Sequence, residues 1–474
     1  MAITFHETPA SRRVYANRTL NLRSIKAIGY DMDYTLVHYR VERWENEAFE
    51  HGRELLAGRG WPVADLVFDP REVILGLAFD LDLGNLVKAT RFGYVIRAQH
   101  GTKLLEYDEL RETYSGDFVE LGEPRWEFMN TLFSLSEASL FNQLVDLLDV
   151  GKLPGVMGYH ELHRSVRNAL DTAHAQGALK AKIVANPDQF VELDKELALT
   201  LLDQHHAGRT LLLITNSDWA YTRSMMAYAV DRFLPAPLTW RDLFDVVIVD
   251  ARKPQFFNGS QPAYRVEDEE RGLLAPYRGL LERGRVYAGG DAHLVETSLG
   301  LAGADLLYVG DHLFGDVHAS KAMLRWRTGL VVRELEYEID ALVAFRSTEE
   351  KLVELMAAKT ELDHTLAQLR LSRLRQRHSY GPAEDVSQLD RRINSTIRSI
   401  TDLDARVAPL AQAAGEIGNA NWGPLLRAGN DKSLFARQIE RHADLYMSRV
   451  SNLLAETPYG YLRADRGRLP HDLT

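Results

Sequence analysis

Two aspartates separated by one residue follow a short apolar run near the start of the chain. The segment GYDMDYTL places Asp31 and Asp33 after SIKAI, with a threonine two positions further on. Like charges repel, and neither carboxylate is stable when buried without a partner. A cation is the simplest such partner, so the segment indicates chemistry that involves a bound cation.

Three further apolar runs end in polar clusters. They are TLLLITNSD (210–218), FDVVIVDARK (244–253) and DLLYVGDHLFGD (305–316). Helical patterns lie between them, and alternation of strands with helices predicts a parallel sheet with crossover helices. Because ligands of such sheets sit at the carboxyl ends of the strands, we expect the polar residues of all four runs to meet at one edge.

The residue types at this edge suit phosphoryl transfer. Carboxylates without His or Cys favour Mg²⁺. Asp31 can attack phosphorus, while Asp33 can protonate the leaving oxygen and then take a proton from water. Asp311 completes the metal site, and Asp316 orients a metal-bound water or a nearby lysine. A hydroxyl, an amide and an ammonium suit the phosphoryl group, and the candidates are Thr215, Asn216 and Lys253.

The order of the motifs carries more information than any single motif. A D-x-D pair at a strand end is usually a solvated turn, and FDLDLGN (79–85) contains a second one, Asp80 and Asp82, with Gly84 where a threonine would be needed. The succession D-x-D-x-T, T-N, Lys and G-D-x-x-x-x-D is much harder to obtain by chance.

The composition narrows the class of protein. The chain has 474 residues, a net charge of −11 and no cysteine, which argues against a dedicated nucleic-acid binder and excludes disulfides, zinc–thiolate sites and thiol catalysis. No apolar h-region or stretch of 18 apolar residues occurs, so we expect neither a signal peptide nor a membrane span. A cytoplasmic protein is the expectation.

The long interval between Asp31 and Thr215 must contain an inserted element. Residues 72–100 resemble strands that belong beside the core, and 106–199 are mostly helical in pattern and form a plausible cap. The predicted core comprises 1–105, 200–345 and 420–474. Helical periodicity over 346–377 and 383–413, interrupted by SYGP (379–382), predicts a helical hairpin over 346–419.

The motifs DMDYTL, ITNSDWAYT, VDARKPQFF and YVGDHLFGD resemble the haloacid dehalogenase-like phosphatases, and among them the cytosolic purine 5′-nucleotidases of the IMP/GMP-preferring type. FMNTLFSLSEASL (128–140) and LFARQIERHADLYMSRVSNLL (434–454) extend the likeness over most of the chain. The resemblance implies a Rossmann-like doubly wound parallel sheet with a helical cap, hydrolysis through an aspartyl-phosphate, and a homo-oligomer.

The resemblance also assigns roles. It implies Asp31 as nucleophile and Asp33 as general acid/base, with Mg²⁺ held by Asp31, the Asp33 carbonyl and Asp311, and Asp316 close to the metal. It places Lys180 near the phosphate, together with Thr215, Asn216 and Lys253.

Three residues of the helical stretch 164–180 share one face, Arg167, Asp171 and His174. Taken alone, the pattern favours an exposed Arg–Asp pair. The resemblance instead implies that they read a 6-oxopurine base, with Phe133 stacked on it and Asn130 beside it. Ser134 and Ala175 depart from the family pattern, which has Asn and Tyr there, and this weakens strict purine selectivity.

The sequence therefore predicts a Mg²⁺-dependent 5′-nucleotidase for GMP, IMP or their deoxy forms, which transfers phosphate if a nucleoside replaces water. Two alternatives stay open. One is a related phosphatase for another phosphomonoester, and the other is a scaffold that binds nucleotide without catalysis.

Overall fold

The computed structural model describes residues 8–175, 177–465 and 467. These residues form two compact units. The first takes in the chain up to Glu336 and again from Leu425, and the second runs from Tyr337 to Pro424. Over this part of the chain, each helix is too short or too polar to cross a lipid bilayer.

The strands of the described residues are β1 (Tyr15–Ala16), β2 (Leu20–Asn21), β3 (Ala27–Tyr30), β4 (His38–Tyr39), β5 (Ala78–Asp80), β6 (Asn85–Ala89), β7 (Val95–His100), β8 (Lys103–Leu104), β9 (Trp126–Phe128), β10 (Val191–Glu192), β11 (Thr210–Ile214), β12 (Val246–Val249), β13 (Ala263–Asp268), β14 (Leu273–Tyr277), β15 (Arg285–Gly289), β16 (Leu306–Gly310), β17 (Arg327–Val331), β18 (Arg427–Ala428), β19 (Asp431–Lys432), β20 (Leu445–Met447) and β21 (Tyr461–Leu462).

The α-helices of the same residues are α1 (Val41–Ala57), α2 (Tyr107–Tyr114), α3 (Ser134–Asp149), α4 (Tyr159–Ala175), α5 (Ala178–Ala185), α6 (Pro187–Phe190), α7 (Lys195–His206), α8 (Trp219–Val230), α9 (Trp240–Leu243), α10 (Gln255–Asn258), α11 (Ala292–Leu299), α12 (Ala319–Leu324), α13 (Leu335–Arg377), α14 (Val386–Gly415), α15 (Leu434–His442) and α16 (Leu453–Glu456).

One large mixed sheet forms the centre of the first unit. Within the described residues its ten strands follow the order β1-β20-β17-β16-β3-β11-β12-β15-β13-β14. Neighbours from β20 to β15 are parallel, and antiparallel pairs lie only at the two margins. The sequences TLLLI, VVIV and LLYVG of β11, β12 and β16 are buried along their whole length, as expected for parallel strands covered on both faces.

The order in which the chain adds strands to this sheet reverses between β3 and β16. From β3 the chain advances through β11, β12 and β15 on one side, and later places β16, β17 and β20 on the other. Such a switch point opens a crevice at the carboxyl ends of the two central strands, where ligands of open α/β sheets bind. The predicted class, a Rossmann-like doubly wound α/β sheet, is confirmed, and the crevice falls where Asp31 and Asp311 follow β3 and β16.

The strands predicted beside the core form a sheet of their own. In the described residues, β8, β7, β6, β5 and β9 make a five-stranded antiparallel sheet, and β9 comes from the segment predicted as the cap. Helix α3 packs against this sheet, and α1 packs against α3 and α4. The division of the first unit into a core and a cap over 106–199 stays a prediction.

The second unit contains two long helices of a hairpin, α14 and most of α13. Buried side chains recur along both helices at coiled-coil spacing, and they are Leu355, Leu366, Leu369, Leu389, Thr396 and Val407. Lys359 pairs with Asp404, and Arg373 Nε donates to Asp390 at 2.7 Å. Because the position on α13 rises as its partner on α14 falls, the helices run antiparallel.

Candidate functional site

Strand β3 delivers Asp31 to the crevice. The four residues of this strand are buried, and the Asp31 backbone N–H donates to the Val309 carbonyl at 2.9 Å, which joins the end of β3 to β16. Gly29 is required by a close approach, since a Cβ there would lie 2.8 Å from Cδ2 of Tyr308. Because Gly29 has no Cβ, the Tyr308 ring can cross β3 and reach β11, where the Tyr308 hydroxyl donates to the Ile214 carbonyl at 2.9 Å.

The ammonium of Lys253 lies between two of the predicted carboxylates. Its Nζ is 2.8 Å from Asp31 Oδ1 and 2.8 Å from Asp316 Oδ1, and it donates to the Tyr308 hydroxyl at 3.1 Å. Burial lowers the pKa of Lys253, but Asp31 and Asp316 more than offset this effect and raise the pKa well above its usual range. The lysine is therefore charged and holds β3, β12 and β16 together at their carboxyl ends.

The buried carboxylates are unfavourable without such a cation. The pKa of Asp31 is raised to about 6, chiefly because burial and then Asp316 raise it by more than Lys253 lowers it. Burial, Asp31 and Asp316 raise the pKa of Asp311 well above its ordinary value. Thr131 Oγ1 donates to Asp311 Oδ2 at 3.2 Å. One lysine does not balance three neighbouring carboxylates, so the cluster has room for further positive charge.

The cluster fits Mg²⁺. Carboxylate oxygens of Asp31, Asp311 and Asp316 lie within 4.8 Å of one another, and a hard cation takes oxygen ligands of this kind. The backbone of Gly310 permits the arrangement, since a Cβ there would lie 2.3 Å from Asp316 Oδ2. The Nδ1 atom of His312 accepts from the Gly315 N–H at 2.9 Å, and burial lowers the pKa of His312 to about 4, so this neighbour adds no charge. Ligation by the Asp33 carbonyl stays a prediction.

Asp33 occupies a different environment from Asp31. Tyr39 Oη donates to Asp33 Oδ1 at 2.5 Å, and Ser217 Oγ donates to Oδ2 at 2.6 Å. Burial raises the pKa of Asp33, while Lys180 lowers it and Asp31 raises it. The adjacent Tyr34 has a φ of 52°, so the chain turns sharply after Asp33.

The residues predicted on the phosphate lie after β11 and around Lys253. The Thr215 hydroxyl accepts from the Ser217 N–H at 3.1 Å, and Lys180 Nζ donates to Ser217 Oγ at 3.1 Å. Asn216 binds the backbone of Lys253 twice, since its Oδ1 accepts from the N–H at 2.7 Å and its Nδ2 donates to the carbonyl at 3.3 Å. The structure thus places Asn216 as a support of the lysine, and its contact with phosphate stays a prediction.

The residues predicted to contact the base bind different parts of the protein, unlike the residues around Lys253. Asn130 Nδ2 donates to the Phe128 carbonyl at 3.0 Å, and its Oδ1 accepts from the Phe314 N–H at 3.4 Å. The Phe133 ring lies 4.9 Å from that of Tyr34, centroid to centroid, in an edge arrangement. Asn130 thereby connects the end of β9 to the helical turn Leu313–His318, which carries Asp316.

Helix α4 carries the other three. Arg167 donates from Nη1 to Glu127 at 2.9 Å and from Nε to Glu137 at 3.1 Å. Asp171 is exposed, and partial desolvation raises its pKa, with Arg167 opposing the rise. The side chain of His174 lies outside the described residues. Arg167 also contributes to the lowered pKa of His312, so its charge is felt at the crevice.

The second D-x-D pair has a structural role. Arg125 donates to both oxygens of Asp80, at 2.8 and 2.7 Å, and the Tyr114 hydroxyl donates to Asp80 Oδ2 at 2.9 Å. Asp82 pairs with His160 at 2.8 Å. These contacts explain a buried carboxylate in the small sheet without any metal.

Sequence reasoning missed several side chains at the site, and they are Thr131, Tyr39, Ser217, Tyr221 and Tyr308. Ser217 follows the T-N pair directly, so its place in TNS is a local signal that could have found it. Thr131, Tyr221 and Tyr308 act through partners far along the chain. Tyr39 lies only six residues after its partner Asp33, but no motif spacing indicates this contact.

Comparison with known proteins now bears on this geometry. A family model described as "5' nucleotidase family" matches residues 14–474. The chain belongs to the 5′ nucleotidase family. The match takes in every element that contributes to the crevice.

Curated relatives agree with this family. The human 5′-nucleotidase domain-containing protein 2 is 29% identical over 460 residues, covering 93% of this chain and 81% of the relative. The rat protein of the same name is 29% identical over 462 residues, covering 93% of this chain and 76% of the relative. The match to a solved structure of CbbY from Rhodobacter sphaeroides in complex with phosphate covers 65% of this chain and 86% of that chain, at 15% identity and a TM-score of 0.26.

As a member of the 5′ nucleotidase family, the chain is a phosphoric monoester hydrolase. The crevice contains groups that suit such a reaction, namely a carboxylate that can attack phosphorus, a second carboxylate that can transfer a proton and the ammonium of Lys253.

The carboxylate cluster predicts a pH-dependent stabilisation by Mg²⁺. In EDTA, the folded protein binds a proton at Asp31 more tightly than the unfolded chain does, because the pKa of Asp31 is raised in the fold. The stabilisation that this proton provides is therefore complete at acid pH and is lost as the pH rises through about 6. Mg²⁺ binds ionised carboxylates, so the rise in Tm on adding MgCl₂ should be larger at about pH 7.5 than at about pH 5. At a concentration about 100 times Kd, the stabilisation should reach about 2.7 kcal/mol.

Differential scanning fluorimetry with MgCl₂ or EDTA measures this effect. Asp311→Asn should lose it, whereas Asp305→Asn, a control just before the opposite end of β16, should keep it. An equal shift in both variants, or none in the wild type, would show that this cluster does not bind the metal.

Proposed function

We propose that this chain is a Mg²⁺-dependent 5′-nucleotidase that hydrolyses purine nucleoside monophosphates, GMP, IMP and their deoxy forms, through an aspartyl-phosphate. The observation that carries the proposal is the convergence of Asp31, Asp311 and Asp316 on the ammonium of Lys253. A carboxylate cluster with a buried lysine suits an anionic phosphoryl group, because the lysine and a divalent ion together offset its charge.

In the first step, Asp31 attacks phosphorus. Among the described hydrogen bonds, those from Met32 N–H and from Lys253 both fall on Oδ1, which leaves Oδ2 as the attacking atom. The Oδ2–P bond forms while the P–O5′ bond breaks, and Asp33 gives its proton to O5′. The nucleoside then leaves.

In the second step, water attacks the same phosphorus. Asp33 takes the proton from this water, the P–Oδ2 bond breaks, and phosphate and the Asp31 carboxylate are released. A nucleoside hydroxyl in place of water would receive the phosphoryl group instead. Asp31, the Asp33 carbonyl, Asp311 and Asp316 would hold Mg²⁺, which would supply positive charge to offset that of the substrate and the carboxylates.

The proposed phosphate contacts come from Thr215, Asn216, Lys253 and Lys180. Lys180 lies 3.1 Å from Ser217 Oγ, so its charge is within reach of a group bound beside Thr215. Lys253 is already shared between two carboxylates, and a phosphoryl oxygen would replace part of that interaction.

The purine base would be read by Phe133, Asn130, Arg167, Asp171 and His174, as the family resemblance implies. Arg167 uses Nη1 and Nε for two glutamates in the described hydrogen bonds, and its guanidinium has further N–H donors for a purine O6. Asp171 would accept from ring N–H groups.

One observation favours a related phosphatase with another substrate. Glu127 and Glu137 neutralise Arg167, and together with Ser134 and Ala175 this reduces the preference for a 6-oxopurine.

We further propose that the protein is cytoplasmic. Its partners are a purine nucleoside monophosphate and a second copy of the chain, and it does not bind nucleic acid.

Phosphate release from a panel of substrates tests the function directly. GMP and IMP should be hydrolysed with Mg²⁺ and not with EDTA, and Asp31→Asn should reduce the rate by at least about a thousandfold. Hydrolysis of sugar phosphates but of no nucleotide would favour the related phosphatase. Nucleotide binding without turnover of any substrate would favour the scaffold.

Substitution of Asp171 tests base reading. Asp171→Ala should raise KM for GMP about tenfold, the equivalent of one hydrogen bond to a charged group, and leave KM for p-nitrophenyl phosphate unchanged. Glu112→Ala, which removes an exposed acid from α2, is the matched control. Equal effects of Asp171→Ala on both substrates would remove the residue from the base site.

A further inference from the structure

Asp33 is held by both of its carboxylate oxygens, and the two donors differ. Tyr39 Oη donates to Oδ1 at 2.5 Å, and Ser217 Oγ donates to Oδ2 at 2.6 Å. Tyr39 in turn accepts from the Tyr221 hydroxyl at 2.9 Å. Tyr39 is 2% exposed and Tyr221 is 3% exposed, so these two hydroxyls are shielded from water.

The Ser217 side of Asp33 belongs to the phosphate region. Ser217 follows Thr215 by two residues, and Lys180 donates to its Oγ. This hydroxyl can turn toward an incoming phosphoryl oxygen, since a serine hydroxyl rotates freely about its C–O bond. Oδ2 of Asp33 is therefore the oxygen that can be released to a substrate.

The hydrogen bond from Tyr39 to Asp33 Oδ1 is harder to break than the one from Ser217. The Tyr39 ring packs 4.4 Å from that of Trp44 and 5.3 Å from that of Tyr34, centroid to centroid. Its hydroxyl is fixed by two hydrogen bonds, because it accepts one from the Tyr221 hydroxyl and donates one to Asp33. Packing sets the ring, and Tyr221 sets the hydroxyl.

We propose that Tyr39, supported by Tyr221, is a positioning residue that anchors Asp33 through Oδ1 and leaves Oδ2 as the atom that transfers the proton. The inference rests on the proposed role of Asp33. The proton on Oδ2 passes to the leaving oxygen as the P–O bond breaks, and Oδ2 takes a proton from water in the second step. Tyr39 keeps its own proton throughout.

The substitution Tyr39→Phe isolates the hydroxyl, because the ring and its packing remain. General acid help matters for a poor leaving group such as a nucleoside and little for p-nitrophenolate, and it contributes roughly 10²–10⁴-fold. Partial loss of it should lower kcat/KM for GMP about 10- to 100-fold through kcat, with KM little changed, and lower kcat/KM for p-nitrophenyl phosphate less than about threefold.

The control is Tyr287→Phe. Tyr287 is fully buried in β15 and accepts from the Glu282 N–H at 2.8 Å, so its loss removes a buried hydroxyl away from Asp33. Activity of this variant should match the wild type. If a thermal melt shows that Tyr39→Phe does not fold, the same rates are measured for Tyr221→Phe. This variant should lower kcat/KM for GMP more than for p-nitrophenyl phosphate, by a smaller factor than expected for Tyr39→Phe.

A double variant decides whether Tyr39 acts through Asp33. Measured with GMP, the substrate on which Tyr39→Phe alone lowers the rate, Tyr39→Phe should cause no further loss in an Asp33→Asn background. Equal losses for good and poor leaving groups, or additive losses in the double variant, would overturn the proposal. If nucleotides are not substrates, phenyl phosphate replaces GMP as the poor leaving group, so failure of the proposed nucleotidase activity is separated from failure of this inference.

Discussion

The ion pairs of Lys253 with Asp31 and Asp316 are the interactions on which the crevice depends. They bring an ammonium from the end of β12 to carboxylates that follow β3 and β16, at 2.8 Å each. The pKa of Asp31 and that of Asp311 are raised by burial, so the cluster is a source of instability that the rest of the fold must overcome. Breaking a buried pair by removing one partner is strongly destabilising.

The surrounding elements explain how such a cluster is tolerated. Gly29 lets Tyr308 reach under the lysine, Asn216 holds the lysine backbone at both N–H and carbonyl, and Gly310 lets Asp316 fold back over its strand. These supports come from three neighbouring parallel strands, whose buried hydrophobic sequences leave no freedom of register. The stable sheet thus carries an edge that would not be stable by itself, as is common where function requires like charges to be close.

The sequence was sufficient for the sheet and for the order of polar residues along its edge, because buried parallel strands are continuous apolar runs and their carboxyl ends share one side. The family was likewise recognisable from long motifs. The strands of 72–100 were recognisable, but the sequence did not indicate that β9, from the segment predicted as the cap, pairs with β5 and completes their sheet. Tyr39 and Tyr221 were missed because a buried hydroxyl finds its partner only in three dimensions. The assignment of the individual site residues stays a prediction.

The two aspartates of GYDMDYTL differ in partners rather than in chemical type. Asp31 faces an ammonium and two carboxylates, whereas Asp33 faces hydroxyl groups. Two like groups in unlike environments can divide the roles of nucleophile and acid/base. The account therefore requires the phosphoryl group to be attached to Asp31 and to no other residue.

Chemical quench during turnover, borohydride reduction and peptide mass spectrometry test this requirement most directly, because reduction converts an aspartyl-phosphate to homoserine. The account predicts homoserine at position 31 alone, formed only with substrate and Mg²⁺. Turnover without a modified Asp31, or an adduct on Asp33 or elsewhere, would contradict it.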